Sequence, residues 1–157
     1  MSKAFTDEET AESSVVGRPV SRAQRGRERP ITSEGYRALV DGVRRLRETG
    51  SPGEADRALF EHRLHELEAT LESVRVVEPP QRSDGVVRFG SRVQVRWDDG
   101  RAQAVRLVGP DEADASRGAV SIESPLAKAV LGSSRGDRVE LELPGGLRSG
   151  EVLSVDS

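Results

Sequence analysis

The apolar residues of this chain change period once, at a Pro-Pro pair, and that change limits what the chain can fold into. Before Pro79 and Pro80, residues Tyr36, Leu39, Val40, Val43 and Leu46 recur at spacings of three and four, the stripe of one helix face. After it, residues 92–97, 103–108 and 138–143 alternate or cluster apolar residues between turn signals, as strands do. With 157 residues, 34% hydrophobic and only 3% aromatic, the chain has room for one ordinary domain or two small ones, and a single large core is not expected. The expected class is α+β: an N-terminal antiparallel αα coiled-coil hairpin, then a small antiparallel sheet domain with one short helix.

Residues 1–30 show no hydrophobic period. The stretch 17–30 (GRPVSRAQRGRERP) carries five Arg against one Glu, with two Pro and two Gly, and is expected to be a disordered arm. Such an arm suits weak contact with nucleic acid or an acidic protein face, but no aromatic residue is interleaved for base stacking, which favours a solvated tail. A hairpin is expected over 31–77. Thr32 supplies an N-cap, Ile31 and Tyr36 stand at hydrophobic-staple positions, and Gly50 stops the first helix. A second helix is expected to restart with Ser51 as cap, Pro52 at the first helical position and Glu54 closing a capping box. Its seam is Leu59 or Phe60, Leu64, Leu67, Leu71 and Val74, running to about residue 74. The short connection makes the two helices antiparallel neighbours about 25 Å long.

A linker over 78–84 leads to the sheet domain, 85–157. Strands are expected at 85–89, 92–97, 103–108, 119–122, 138–143 and 150–155. Asp98, Asp99 and Gly100 form one hairpin turn, and Pro144, Gly145 and Gly146 another. Between the fourth and fifth strands, Ser124 as cap, Pro125 at the first position and Gly132 as stop delimit a short helix.

The net charge of −3 argues against general nucleic-acid affinity, although 22 of the 24 basic residues are Arg, a bias that GC-rich codon usage explains. Cys is absent, which excludes disulfides and thiol chemistry and suits a reducing, cytoplasmic setting. No apolar run approaches the roughly 18 residues that span a bilayer. The first residues are acidic where a signal peptide is basic and then apolar, so neither membrane insertion nor export is expected.

Candidates for chemistry are few. His62 and His65 lie three apart on the second helix near Glu61, Glu66 and Glu68. That is a conceivable metal pattern, outweighed by their position on flanks that a hairpin leaves in solvent. Glu54 and Asp56 sit at the hairpin tip. Acids there suit either a divalent ion held for another macromolecule or the ordinary offsetting of a helix macrodipole. No phosphate loop, glycine-rich dinucleotide motif, nucleophile elbow or zinc pattern is present, so the chain is not expected to be an enzyme or to carry a cofactor or metal.

The run VGPDEADASRGAVSIESPLAKAVLGSSRGDRVELELPGG (108–146) closely resembles the C-terminal domain of the GreA/GreB transcription elongation factors, element by element. ITSEGYRAL (31–39), and RLHELEATL (63–71) followed by Val76 and Val77, are similar to the family's first-helix start and second-helix end. The resemblance implies a bacterial, monomeric protein with a coiled-coil hairpin and an FK506-binding-protein-like domain. It also implies RNA polymerase core as partner, bound at the secondary-channel rim. The family's docking loop is matched by Glu123, Ser124 and Pro125, then Leu126, Ala129, Val130 and Leu131.

The tip departs from the family. Gre factors carry an Asp and then a Glu-Asn-Ala-Glu-Tyr run, whose acids help hold the polymerase's second Mg²⁺ during cleavage of backtracked RNA. Here Gly53, Glu54, Ala55, Asp56 and Arg57 preserve a shadow of it, on a hairpin several turns shorter. A tip falling about 10 Å or more short cannot place a carboxylate on the metal. The chain in this respect resembles short-coiled-coil, Rnk-type relatives. The expected function is therefore polymerase-binding regulation without cleavage, with a cleavage factor using Glu54 and Asp56 as the alternative. A prolyl isomerase is a remote third, because Phe89 and Trp97 are too few aromatics to line such a pocket.

Overall fold

The computed structural model describes residues 28–50, 53–79 and 84–157. Most of the Arg-rich arm lies outside these residues, but Arg29 and Pro30 do not belong to an arm. With Ile31 they form strand β1 (Arg29–Ile31), which pairs in parallel with β2 (Val74–Val76). Ile31 is fully buried there while Tyr36 is 37% exposed, so the apolar residue expected to staple the helix instead anchors a strand.

Helix α1 (Ser33–Thr49) starts where its cap predicts. Thr32 has extended backbone, and its hydroxyl accepts the Gly35 N–H at 3.0 Å. Helix α2 (Arg57–Ser73) begins later than expected. Glu54, Ala55 and Asp56 form a turn, with the Asp56 N–H donating to the Gly53 carbonyl at 2.9 Å, and Asp56 occupies the cap position without a side-chain cap bond. The expected capping box is thereby overturned; Ser51 and Pro52 lie outside the described residues. The helices run antiparallel. Arg47 pairs with Glu68 at 2.6 Å, while Val40 and Val43 share a groove with Leu71 and Glu72. Only Val43 of the pair is fully buried, and Leu59 is 70% exposed, so the α2 stripe is covered on one side at most.

Beyond the linker, β3 (Arg92–Trp97), β4 (Ala102–Val108), β5 (Ala119–Ser121), β6 (Arg138–Leu143) and β7 (Gly146–Asp156) form one sheet in the order β5-β4-β3-β7-β6. In β3 the alternation is strict, with Val93, Val95 and Trp97 buried and Arg92, Gln94 and Arg96 exposed. Helix α3 (Pro125–Val130) inserts Ala127 and Val130 into the same core, beside Val105, Leu107, Val139, Leu141 and Val152.

Two strand expectations are corrected. Residues 85–89 are not a strand: Val86 makes one isolated bridge to Ser134, and Val87 exchanges backbone bonds with Gly132 and Ser133 at 2.9 and 2.8 Å. The sheet is also not purely antiparallel, because β4 and β5 pair in parallel across the two short 3₁₀ turns Pro110–Glu112 and Ala115–Arg117. The last strand is longer than expected because the turn after Leu143 closes at once, pairing Leu143 with Gly146.

Candidate functional site

Three regions carry the candidate residues. The first is the segment leading into α3. The Ser124 hydroxyl accepts the Ala127 N–H at 3.2 Å, and the Ser124 N–H donates to the Ser121 carbonyl at 2.9 Å. Ser121 Oγ accepts the Glu123 N–H at 3.1 Å, which fixes the approach. Pro125 occupies the first helical position, where no N–H is needed. Pinned by Ala127 and Val130, both 0% exposed, the turn presents Glu123, Pro125, Lys128 and Leu131 to solvent. Leu126 and Ala129 pack partly against the core. Val130 is thus a core residue that holds the turn, and does not present itself to a partner. Lys128, which sequence reasoning did not single out, stands on the exposed side.

The second region is the tip between α1 and α2. Gly53, Glu54, Ala55, Asp56 and Arg57 are all exposed, and Arg57 is engaged with Glu61 at 3.0 Å. Neither Glu54 nor Asp56 forms an ion pair among the described residues. His62 and His65 are exposed, with His62 3.3 Å from Glu66, and no three His, Asp or Glu side chains converge as a metal site among the described residues.

The third region joins the helices to the sheet. Glu112, in the first 3₁₀ turn, accepts the backbone N–H of Thr32 at 2.8 Å, the Thr32 hydroxyl, and the N–H of Gly109 at 3.1 Å. Arg29 bonds Asp111 at 2.7 Å and Ser73 Oγ at 2.9 Å, and Arg106 of β4 bonds Glu34 of α1 at 2.5 Å. That hydrogen bond, with the Arg106 charge, holds the Glu34 carboxyl below its ordinary 4.5; Arg92 and Arg117 add to the effect. None of these contacts was anticipated. One signal was available in Gly35, a helix-weakening residue inside a first turn.

Trp97, one of the two aromatics weighed for an isomerase pocket, is committed elsewhere. Its ring is 2% exposed, stacked under the Arg148 guanidinium 4.5 Å from the centroid, with its N–H on Gln103 at 3.2 Å.

Comparison with known proteins matches these elements to one family. The family description "Transcription elongation factor, GreA/GreB, C-term" fits residues 82–157, which hold β3 to β7 and α3. GreA of Ruegeria pomeroyi is 34% identical over 128 residues, covering 76% of this chain and 81% of that protein. GreA of Syntrophobacter fumaroxidans is 31% identical over 150 residues, covering 80% and 96%. The crystal structure of GreA factor homolog 1 of Thermus thermophilus aligns over 83% of this chain and 100% of that one, at 26% identity and a TM-score of 0.42. The chain belongs to the GreA/GreB family of transcription elongation factors. Among the described residues no helix is long and apolar enough to cross a membrane.

Proposed function

We propose that this chain binds bacterial RNA polymerase at the rim of the secondary channel through its sheet domain, without stimulating transcript cleavage, and acts by excluding longer channel-binding factors. In this reading the helical pair is a short coiled-coil hairpin over 31–77, and residues 85–157 are a domain of FK506-binding-protein type. The docking surface is the α3 turn: Glu123, Ser124 and Pro125, with Leu126, Ala129 and Leu131 behind them. A capped, rigid turn that presents one charge beside small apolar residues loses little entropy on binding, which suits an interface.

The observation that carries the reading is the length of the helical pair. Each helix has 17 residues, about 25 Å at 1.5 Å per residue. The alignment to the Syntrophobacter relative spans 150 positions but uses 80% of this chain, about 126 of 157 residues, so about 24 positions are occupied in the relative alone. We place that shortfall in the helical pair; taken equally from its two helices it lowers the tip by about 18 Å, which in this reading leaves Glu54 and Asp56 short of a metal at the pore's end. Titration of labelled protein with core RNA polymerase tests the docking half: saturable binding at or below micromolar concentration is expected, and its absence overturns the reading.

The exposure of Glu54 and Asp56, both outside any ion pair among the described residues, favours one second reading, a cleavage factor that uses them as a metal-holding pair. Cleavage of stalled, backtracked complexes that is lost in the Glu54→Ala, Asp56→Ala double variant would establish it.

A further inference from the structure

We infer that Glu112 is a positioning residue that sets the angle at which the helical pair leaves the sheet domain, and that Gly35 and Gly109 are glycines because the joint has no room for a side chain. The inference rests on the proposed function, in which the sheet domain stays on the rim while the helices point into the channel. A docked factor can occlude that channel only if the joint between its two halves holds direction.

The geometry is that of a directional joint. One carboxylate takes three donors: the Thr32 backbone N–H, the Thr32 hydroxyl and the Gly109 N–H. Thr32 is 3% exposed, and its oxygen accepts the Gly35 N–H, so Glu112 is tied through the cap residue into the first turn of α1. A Cβ on Gly35 would stand 2.0 Å from Glu112 Oε1, and one on Gly109 would stand 1.9 Å from the Pro30 carbonyl oxygen. Glycine weakens a helix relative to alanine, so its place in the first turn of α1 requires an offsetting gain, and the approach of this carboxylate supplies it. Arg29 with Asp111, and Arg106 with Glu34, tether the same joint on either side. Ion pairs between long, flexible side chains tolerate rotation; a carboxylate that takes two hydrogen bonds from a buried cap residue, and is itself fixed by the Gly109 N–H of its own turn, does not.

The experiment uses the full chain. Because Cys is absent, cysteines introduced at Ala58 near the tip and at Glu142 on β6 accept spin labels uniquely, and pulsed electron resonance reads the distance between them. Wild type should give one narrow distribution, and Glu112→Gln and Gly35→Ala should each broaden or shift it. Gly35→Ala should lower the thermal midpoint of the wild type yet raise it in a Glu112→Ala background, where the clashing atoms are gone and alanine is the better helix former. On polymerase, both single variants should keep wild-type affinity, because the α3 turn is untouched, while the label pair read in the complex should keep the broadened or shifted distribution.

Unchanged distances, or additive effects of Gly35→Ala and Glu112→Ala on the thermal midpoint, would overturn the inference. Loss of polymerase affinity in both variants would also overturn it, by making Glu112 merely structural. If the wild type itself fails to bind polymerase, the proposed function falls, while the distances and the double-variant comparison still decide the role of Glu112.

Discussion

Glu34 shows how an exposed group contributes to the joint. Its carboxylate is favoured by Arg106 and, at longer range, by Arg92 and Arg117, so its pKa in the folded chain lies below the unfolded value. A depressed carboxylate stabilises the fold above its unfolded pKa, and that contribution fades as pH falls through the folded value. The pair is solvent-screened and contributes no more than about 0.5 kcal/mol. Glu34→Gln should therefore lower the thermal midpoint slightly at pH 7, and the difference from wild type should vanish as the sample is acidified below the carboxylate range. A difference that grows on acidification would contradict the assignment. At the same scale, Gly150 admits the Trp97 ring: a Cβ there would stand 2.9 Å from Trp97 Cε3 and 2.8 Å from the Arg96 carbonyl. Gly150→Ala should cost about 1–3 kcal/mol by overpacking, read as a lower urea midpoint with unchanged slope.

Among the elements, α3 separates folding from binding most cleanly. Ser124→Ala removes the cap bond to Ala127 and should cost about 1 kcal/mol, and Val130→Ala opens a cavity in the core and should cost about 2 kcal/mol or more. Pro125→Ala with Glu123→Lys touches only the exposed side, so the double variant should keep its thermal transition and lose polymerase binding. If it folds normally and binds undiminished, the docking surface lies elsewhere. The elements legible in the sequence, α1, α3, β3, β4 and β6, are those whose caps and periods are local. The β1 and β2 pair was not legible, because three-residue strands carry no period and their partners lie 45 positions apart, as Arg29 and Val74 do. The 85–89 segment has a strand's composition but only single-point backbone partners, which composition does not reveal. The start of α2 moved because a turn at Glu54, Ala55 and Asp56 competes with the first helical turn. The capped α3 turn, the proposed docking surface, is readable from Ser124 and Pro125, a local motif, whereas the joint at Glu112 depends on a contact across 80 residues.

At the scale of the whole molecule, the helical pair and the sheet domain are joined by the Glu112 carboxylate and two flanking ion pairs. The helical pair buries little of its own surface, so its direction comes from that joint and its reach from its length. In the proposed function, a factor built this way stands in a channel entrance and does not deliver a carboxylate to a distant metal. The most direct test is RNA cleavage in stalled, backtracked polymerase complexes with this protein at saturation. The account predicts no acceleration over polymerase alone, and suppression of the cleavage stimulated by a longer Gre factor added at lower concentration. Acceleration by the wild type that disappears in the Glu54→Ala, Asp56→Ala double variant would contradict it.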